Sequence, residues 1–314
     1  MGSIATRELS RKFGAVTALD RVTVTVPESG VIGLVGPNGS GKSTLIRILL
    51  GLIPPTSGSA TVLGESVKVP ERYADEVGAL IEAPAFLPGL TARRNLLALS
   101  RLRGLARGRV DEVLAAVDLT AQADRPVRTF SLGMKQRLGI AAALLPDPRL
   151  LILDEPTNGL DPAGIVEIRH LLKGLGRQGR AVVVSSHLLA EIEAACDHLV
   201  VIRHGHLLFA GPTRELMARA ASHIRVAPEF DADIDALRIA LNQGGWSTII
   251  RSDAIQIEAP ASAAALVNRA ATAAGITLKL LTVSHDSLED TFLALTAQSP
   301  DQSTGRPAEG TVAA

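Results

Sequence analysis

One stretch of eight residues limits the possible folds of this chain more than any other. It fits the pattern G-x-x-x-x-G-K-[ST] and consists of Gly36, Pro37, Asn38, Gly39, Ser40, Gly41, Lys42 and Ser43. An apolar run at 31–35 predicts a buried strand before it, and residues 43–50 predict a helix after it. Glycines let the backbone curl so that its N–H groups point inward, and the helix adds its positive dipole end. The stretch therefore predicts a phosphate cradle; the alternative is a strand-to-helix turn that binds nothing.

The polar side chains of this loop have separate predicted roles. Lys42 is expected to bridge the β- and γ-phosphates of a nucleoside triphosphate. The Ser43 hydroxyl is expected to ligate Mg²⁺, and Thr44 to support the α-phosphate side. The predicted ligand is thus a nucleoside triphosphate with its Mg²⁺ ion.

A second nucleotide element is predicted where an apolar run ends in two carboxylates. Residues 150–153 are apolar, and Asp154 and Glu155 follow them directly. Ligands of open α/β sheets bind at the carboxyl ends of the strands, so this element is expected beside the phosphate loop. Asp154 is expected to hold Mg²⁺, and Glu155 to take a proton from the attacking water. By itself the pattern is also compatible with ordinary polarity at a strand end.

Three further stretches supply polar groups to the same region. Ser131 precedes an apolar helix, where its hydroxyl and the free N–H groups favour an anion. Residues 158–162 predict a turn that includes Asp161, and residues 181–187 predict a buried strand that has His187 at its end. A lone histidine is more often structural than catalytic, but the tip of a parallel strand places it near a γ-phosphate.

Composition excludes several classes of protein. The chain has 314 residues, with 32 basic and 32 acidic side chains, so bulk electrostatic affinity for nucleic acid or anionic lipid is not expected. No apolar run reaches the length of a membrane span, and the N-terminus lacks a signal segment, which predicts a cytoplasmic protein. Cys196 is the single cysteine and is predicted to be a buried structural thiol.

In this order, the motifs resemble those of the ATP-binding subunits of ABC transporters, over residues 4 to about 215. The resemblance implies an α/β fold of the P-loop NTPase class, ABC type, with an antiparallel β subdomain and a helical subdomain. Alternating residues at 4–26 and 60–69 fit the antiparallel sheet, and residues 83–130 predict helices. Arginines 93, 94, 101, 103, 107 and 109 are predicted to form either a solvated face or a docking surface.

The resemblance also implies roles for individual residues. Ser131 and Gly133 match the signature motif that contacts ATP held by the opposite subunit of a homodimer. Asp161 matches the loop that crosses the dimer interface, and His187 the switch residue at the γ-phosphate. Phe13 matches the aromatic residue that stacks on adenine; without the family it is equally an ordinary hydrophobic anchor.

Two departures from the family pattern affect the expected site. Glu82 stands where the family usually has a glutamine that meets Mg²⁺ or the attacking water and senses the membrane subunit. A carboxylate still serves as a hard oxygen ligand there, but it brings negative charge close to the phosphates and to Glu155. Leu132 and Met134 replace the first glycine and the glutamine of the signature. This combination resembles the branch of bacitracin, lantibiotic and daunorubicin exporters, whose membrane subunits are separate chains.

The predicted organisation has three parts. Residues 1–215 form the nucleotide-binding domain, and residues 216–297 form a small α+β module with strands near 224–226, 254–258 and 277–281. Residues 298–314 are rich in Pro, Gly, Ser and Thr and are predicted to be disordered.

The resemblance implies an ATPase that dimerises head to tail and drives drug or peptide-antibiotic export by a separate polytopic permease. Such a subunit is cytoplasmic and peripheral on the inner face of the membrane. The alternative is a soluble ABC ATPase that acts on ribosomes or DNA. A second nucleotide cassette, typical of the ribosomal members, is missing from the sequence, and the stretch between Ser43 and Ser131 is too short for the coiled coil of DNA-repair members.

Overall fold

The structure is a computed structural model, and it describes residues 2–81, 85–106, 108–186, 194–218, 222–251 and 253–285. The contacts between residues divide the chain into two units, Met1–Arg219 and Ala220–Ala314. No helix in these described ranges has the length and apolar character that crossing a bilayer requires.

A six-stranded, mostly parallel sheet forms the centre of the first unit. Its strand order is β10-β9-β3-β8-β7-β6, and its strands are β3 (Gly30–Val35), β6 (Val77–Leu80), β7 (Leu150–Leu153), β8 (Ala181–Ser186), β9 (His198–Arg203) and β10 (His206–Pro212). Only the β9–β10 pair is antiparallel within this sheet. Strands β7 and β8 are buried along their whole length, as the continuous apolar runs predicted.

A four-stranded antiparallel sheet packs near it through one shared hydrophobic core. The order is β2-β1-β4-β5, with β1 (Ile4–Phe13), β2 (Val16–Val26), β4 (Ser57–Val62) and β5 (Glu65–Ser66). The core joins side chains of both sheets with those of helix α1 (Lys42–Leu49). The predicted antiparallel subdomain is therefore confirmed.

The structure describes five further α-helices in the first unit, and two of them fall within residues 83–130, where helices were predicted. They are α2 (Ala92–Leu102), α3 (Gly108–Ala116), α4 (Leu132–Leu144), α5 (Pro162–Arg177) and α6 (Thr213–Met217). Two arginines of the predicted basic row are engaged in ion pairs: Arg93 with Asp111 and Asp124, and Arg109 with Asp147. These two side chains therefore contribute to the structure of the helical region itself.

The single cysteine lies in the core of the first unit. Cys196 is buried, and this burial raises the pKa of its thiol to about 12. Burial and a raised pKa both disfavour the reactive thiolate, as expected of a structural residue.

The second unit has the βαββαβ order of a ferredoxin-like fold. Its elements are β11 (Ser222–Pro228), α7 (Ile234–Gln243), β12 (Thr248–Arg251), β13 (Ala254–Glu258), α8 (Ala264–Ala273) and β14 (Leu278–His285). The sheet order is β12-β13-β11-β14, with every pair antiparallel. Residues of both helices pack with the sheet in a separate core. The α+β prediction is confirmed, but strand β12 was not predicted.

Candidate nucleotide-binding site

Backbone geometry makes residues 36–43 a tight loop that only glycine can form at three positions. Gly39 and Gly41 have φ values of 77° and 111°, in the left-handed region that other residues rarely adopt. A Cβ atom at Gly36 would lie 2.1 Å from the carbonyl oxygen of Ile202, and one at Gly41 2.5 Å from that of Ala18. The loop is therefore packed closely against β9 and β2 while it turns into helix α1.

The middle of the loop is exposed to solvent, and its end is held by hydrogen bonds. Pro37, Asn38 and Gly39 are exposed, whereas Ser40 is buried. The backbone N–H of Ser40 donates to the Pro37 carbonyl at 3.1 Å, and its carbonyl accepts from Gly205 N at 2.9 Å. Residues 37–39 are thus accessible, while Ser40 is fixed by two backbone hydrogen bonds.

Lys42 is buried within this loop and is close to an acidic residue. Its Nζ donates hydrogen bonds to the carbonyl oxygens of Gly36 at 2.6 Å and Pro37 at 3.2 Å, and lies 3.9 Å from Oε1 of Glu155. The side chain is only 6% exposed. Burial lowers the pKa of Lys42, and the carboxylates of Glu155 and Asp154 oppose that effect. The two predicted nucleotide elements therefore meet at this ammonium group.

The Asp154–Glu155 pair lies at the carboxyl end of β7, as predicted. The N–H of Asp154 continues the sheet by donating to Leu80 O at 2.8 Å. The N–H of Glu155 donates instead to the Ser185 hydroxyl at 2.8 Å, and that hydroxyl donates to Oδ1 of Asp154. Glu155 has a φ of 50°, in the left-handed region. The backbone therefore turns out of the sheet at Glu155.

The donor set near the loop is suited to a hard cation. Ser43 and Thr44 occupy the first turn of α1 and are partly exposed, and Asp154 supplies a carboxylate. Hydroxyl and carboxylate oxygens are the ligands that Mg²⁺ prefers, with several waters retained. The described residues hold no group of three or more His, Cys, Asp or Glu side chains placed to bind a metal. The oxygen donors present fit Mg²⁺ held together with a nucleotide.

The signature residues lie at an exposed helix start. The hydroxyl of Ser131 accepts a hydrogen bond from Met134 N at 3.2 Å and caps helix α4, while Leu132 beside it is half exposed. A Cβ atom at Gly133 would lie 3.8 Å from Leu160 of the following turn. Ser131 and Gly133 are therefore brought next to the turn that carries Asp161.

Asp161 caps the next helix. Its Oδ1 accepts from Gly164 N at 3.0 Å, and Pro162 occupies the first position of α5. The carboxylate thus stabilises the start of α5, in addition to any role at an interface.

Phe13 ends strand β1 with its ring partly open to solvent. The side chain is 46% exposed, and the guanidinium carbon of Arg11 lies 4.5 Å from the centroid of the ring. Phe13 pairs with Val16 of β2, and Ala18 of the same strand abuts the phosphate loop. The hairpin that carries the ring is therefore attached to the loop.

Two predicted site residues, Glu82 and His187, lie outside the described residues. Strand β6 ends at Leu80, two residues before Glu82, and strand β8 ends at Ser186, one residue before His187.

Sequence reasoning missed Ser185, which bonds to both Asp154 and Glu155. The available signal was a polar residue directly after the apolar run 181–184, inside the strand that was predicted to be buried, since a buried hydroxyl requires a partner. The sequence does not say which partner that is.

In sequence and in fold, the chain is similar to proteins described as transport ATP-binding proteins or as parts of ABC transporters. The profile of the family described as "ABC transporter" matches residues 19–158. The "Bacitracin transport ATP-binding protein BcrA" of Bacillus licheniformis is 38% identical over 299 residues, which cover 93% of this chain and 96% of that protein. The "Lantibiotic transport ATP-binding protein SrtF" of Streptococcus pyogenes is 40% identical over 202 residues, or 64% of this chain and 87% of the relative. Among solved structures, cbiO1 from Clostridium perfringens, described as part of the ABC transporter complex cbiONQ, has a TM-score of 0.65 and 25% identity, and covers 78% of this chain and 97% of its own.

Proposed function

This chain belongs to the ABC transporter family as an ATP-binding subunit that hydrolyses ATP, and on that premise we propose that it drives export through separate membrane subunits. The supporting observation is that similarity to a bacitracin transport subunit extends along nearly the whole chain, past the part that the family profile matches. The second unit, which carries no nucleotide motif, is thus shared with an antibiotic transporter.

The proposed site uses the groups that meet at Lys42. The loop N–H groups and Lys42 bind the phosphates, and Ser43 with Asp154 holds Mg²⁺. A bound Mg²⁺ offsets phosphate charge during the reaction. Glu155 accepts the proton of the attacking water; its Oε1 lies next to the ammonium group that contacts the phosphates. From the family resemblance, Glu82 and His187 are proposed to act at the γ-phosphate, and Phe13 is proposed to stack on the adenine.

The proposed active form is a head-to-tail homodimer. Ser131 and Gly133 lie at an exposed helix start, where a free N–H end favours a phosphate presented from outside. Asp161 lies in the adjacent turn and is placed to cross the same interface. Two ATP molecules are then held between the loop of one subunit and the signature of the other.

The proposed location is the cytoplasmic face of the membrane, where the subunit binds a polytopic permease. Peptide antibiotics such as bacitracin are the proposed class of cargo, because the full-length relatives include transport proteins for bacitracin. Action on ribosomes or DNA, the alternative, has no support among the relatives described above.

The experiment is complementation followed by reconstitution. Cells that lack this gene, but keep the polytopic membrane protein proposed as its partner, are tested for bacitracin and lantibiotic sensitivity with wild-type protein or Glu155→Gln. We expect the wild-type protein, but not Glu155→Gln, to lower sensitivity. We also expect ATP-dependent transport in proteoliposomes that contain both the wild-type protein and the membrane protein. Unchanged sensitivity, together with an ATPase rate that the membrane protein does not alter, would contradict an export role.

A further inference from the structure

One buried hydroxyl group joins the two carboxylate residues of the site. Ser185 is 0% exposed and lies in β8, the strand that pairs with β7. Its hydroxyl donates to Oδ1 of Asp154 and accepts the backbone N–H of Glu155 at 2.8 Å. A single side chain thus bonds to the proposed metal ligand and to the backbone of the proposed base.

The backbone at Glu155 needs such support. Its φ of 50° lies in the left-handed region, which a side chain larger than glycine adopts only when its surroundings hold it there. The preceding N–H, that of Asp154, bonds to Leu80 in β6, whereas the N–H of Glu155 bonds to Ser185 in β8. The chain is therefore held from both neighbouring strands at the point where it leaves the sheet.

The same hydroxyl also orients the Asp154 carboxylate. A hydrogen bond to a charged oxygen is stronger than one between neutral groups, and it is stronger still in a buried place. With Oδ1 engaged by Ser185, the carboxylate plane is set before a metal ion arrives. Such preorganisation matters because misplacement of a reacting group by about 1 Å is costly to rate.

We infer that Ser185 is a positioning residue for ATP hydrolysis, which fixes the Asp154 carboxylate and the Glu155 backbone relative to each other. The inference rests on the proposed roles of Asp154 as metal ligand and Glu155 as base. Ser185 itself does not touch the reacting atoms.

The test compares two side chains of the same shape. Ser185→Thr keeps the hydroxyl and Ser185→Val replaces it with a methyl group, so both add the same bulk in the strand. We expect Val to lower kcat about 10-fold to 100-fold relative to Thr, with the KM for ATP changed less than about threefold. The Val variant is also expected to need more free Mg²⁺ for half-maximal binding of a fluorescent ATP analogue.

A direct readout is hydrogen exchange at the Glu155 amide in the protein without nucleotide. We expect protection of this amide in wild type and Ser185→Thr, and faster exchange in Ser185→Val. The matched control is Thr6→Val. The Thr6 hydroxyl is also buried and also makes two hydrogen bonds, but it donates to a backbone carbonyl, that of Val22, and accepts the N–H of Val24. Its loss is expected to leave kcat and Mg²⁺ dependence unchanged.

The possible outcomes distinguish failure of the positioning role from failure of the proposed catalytic roles. If Thr and Val variants share the same kcat, Mg²⁺ dependence and exchange rate, the positioning role is wrong. Asp154→Asn and Glu155→Gln test the underlying roles separately: if both keep near-normal turnover, the proposed catalytic assignment fails instead. Should the Val variant not fold, Ser185→Ala removes the hydroxyl without added bulk, and a wild-type kcat in that variant would equally overturn the inference.

Discussion

The ammonium group of Lys42 lies 3.9 Å from Oε1 of Glu155, although the two residues follow different strands of the central sheet. Strand β8 separates β3, which leads into the phosphate loop, from β7, which leads into Glu155. The closeness of these two side chains therefore depends on parallel strands that end at the same edge of the sheet. It brings the proposed base next to the cation that is proposed to bind the phosphates.

Glu155→Gln is expected to stop hydrolysis while ATP still binds. Glutamine keeps the size and hydrogen bonding of glutamate but does not accept a proton, so the ATPase rate should fall by about 10² or more. Steady-state turnover and the affinity for a fluorescent ATP analogue are measured on the same protein. Near-normal turnover would remove Glu155 from the role of base.

The Glu155→Gln protein is expected to dimerise when Mg·ATP is added, but not with Mg·ADP. In the proposed dimer, blocked hydrolysis should trap the nucleotide between the loop of one subunit and Ser131 and Gly133 of the other. Size-exclusion chromatography with light scattering reports the mass. As a control, Gly133→Asp in the same background places negative charge at the α4 start and should prevent association without loss of ATP binding. An unchanged mass in every condition, even with the membrane partner present, would contradict a shared site.

Glu82→Gln is expected to retain ATPase activity but to change its Mg²⁺ dependence. If Glu82 lies in the proposed site, a unit charge about 4 Å from the metal is worth roughly 4 kcal/mol at an effective dielectric near 20, before metal screening, and its removal should not be silent. The rate is measured against free Mg²⁺ for both proteins, with and without the reconstituted membrane partner. Superimposable curves in both settings would make Glu82 an ordinary loop carboxylate.

Phe13→Ala is expected to weaken ATP binding about 10-fold, because base–aromatic stacking is worth about 1 to 3 kcal/mol. The rate at saturating ATP should change little. Val16→Ala removes the exposed neighbour that pairs with Phe13 and is the control for damage to the hairpin. Equal ATP affinity in Phe13→Ala and wild type would mean that the ring is only a hydrophobic anchor.

Asp147→Asn is expected to reduce stability in a pH-dependent way. Asp147 accepts hydrogen bonds from Arg180 and Arg109, each at 2.8 Å, and the bond from Arg180 is the main cause of the lowered pKa of Asp147. Because the folded-state pKa lies below the unfolded one, this stabilisation is present above the unfolded value and is lost as the pH falls through the folded one. Asp231→Asn is the control, because it removes one exposed ion pair, that between Asp231 and Lys279.

Thermal unfolding at pH 7 should show a Tm about 1 to 3 °C lower for Asp147→Asn, since exposed pairs contribute about 0 to 1 kcal/mol each. The difference should shrink as the pH falls below about 4. A difference that stays constant down to about pH 3 would show that the charge of Asp147 is not its cause.

Much of the first unit was predictable because its signals are local. The apolar runs at 31–35 and 150–153 form buried strands, and Ser131 caps a helix, as their sequences indicated. The neighbourhood of Lys42 and Asp154 followed from one general rule, that parallel strands present their carboxyl ends at one edge. Strand β12 was missed because its four residues, 248–251, carry no alternation that distinguishes a short edge strand from a turn.

By itself, the sequence determined that residues 36–43 form a glycine-rich turn into a helix and what chemistry they offer, because these signals act within a few residues. The close packing of Gly36 against Ile202 and of Gly41 against Ala18 is tertiary. Tertiary structure alone decided which distant groups meet: the Ser185 hydroxyl with Asp154 and Glu155, and the Asp147 carboxylate with two arginines. The physical reason is that such contacts require a particular strand order and register. Those depend on how the entire core packs, and no short stretch of residues encodes that packing.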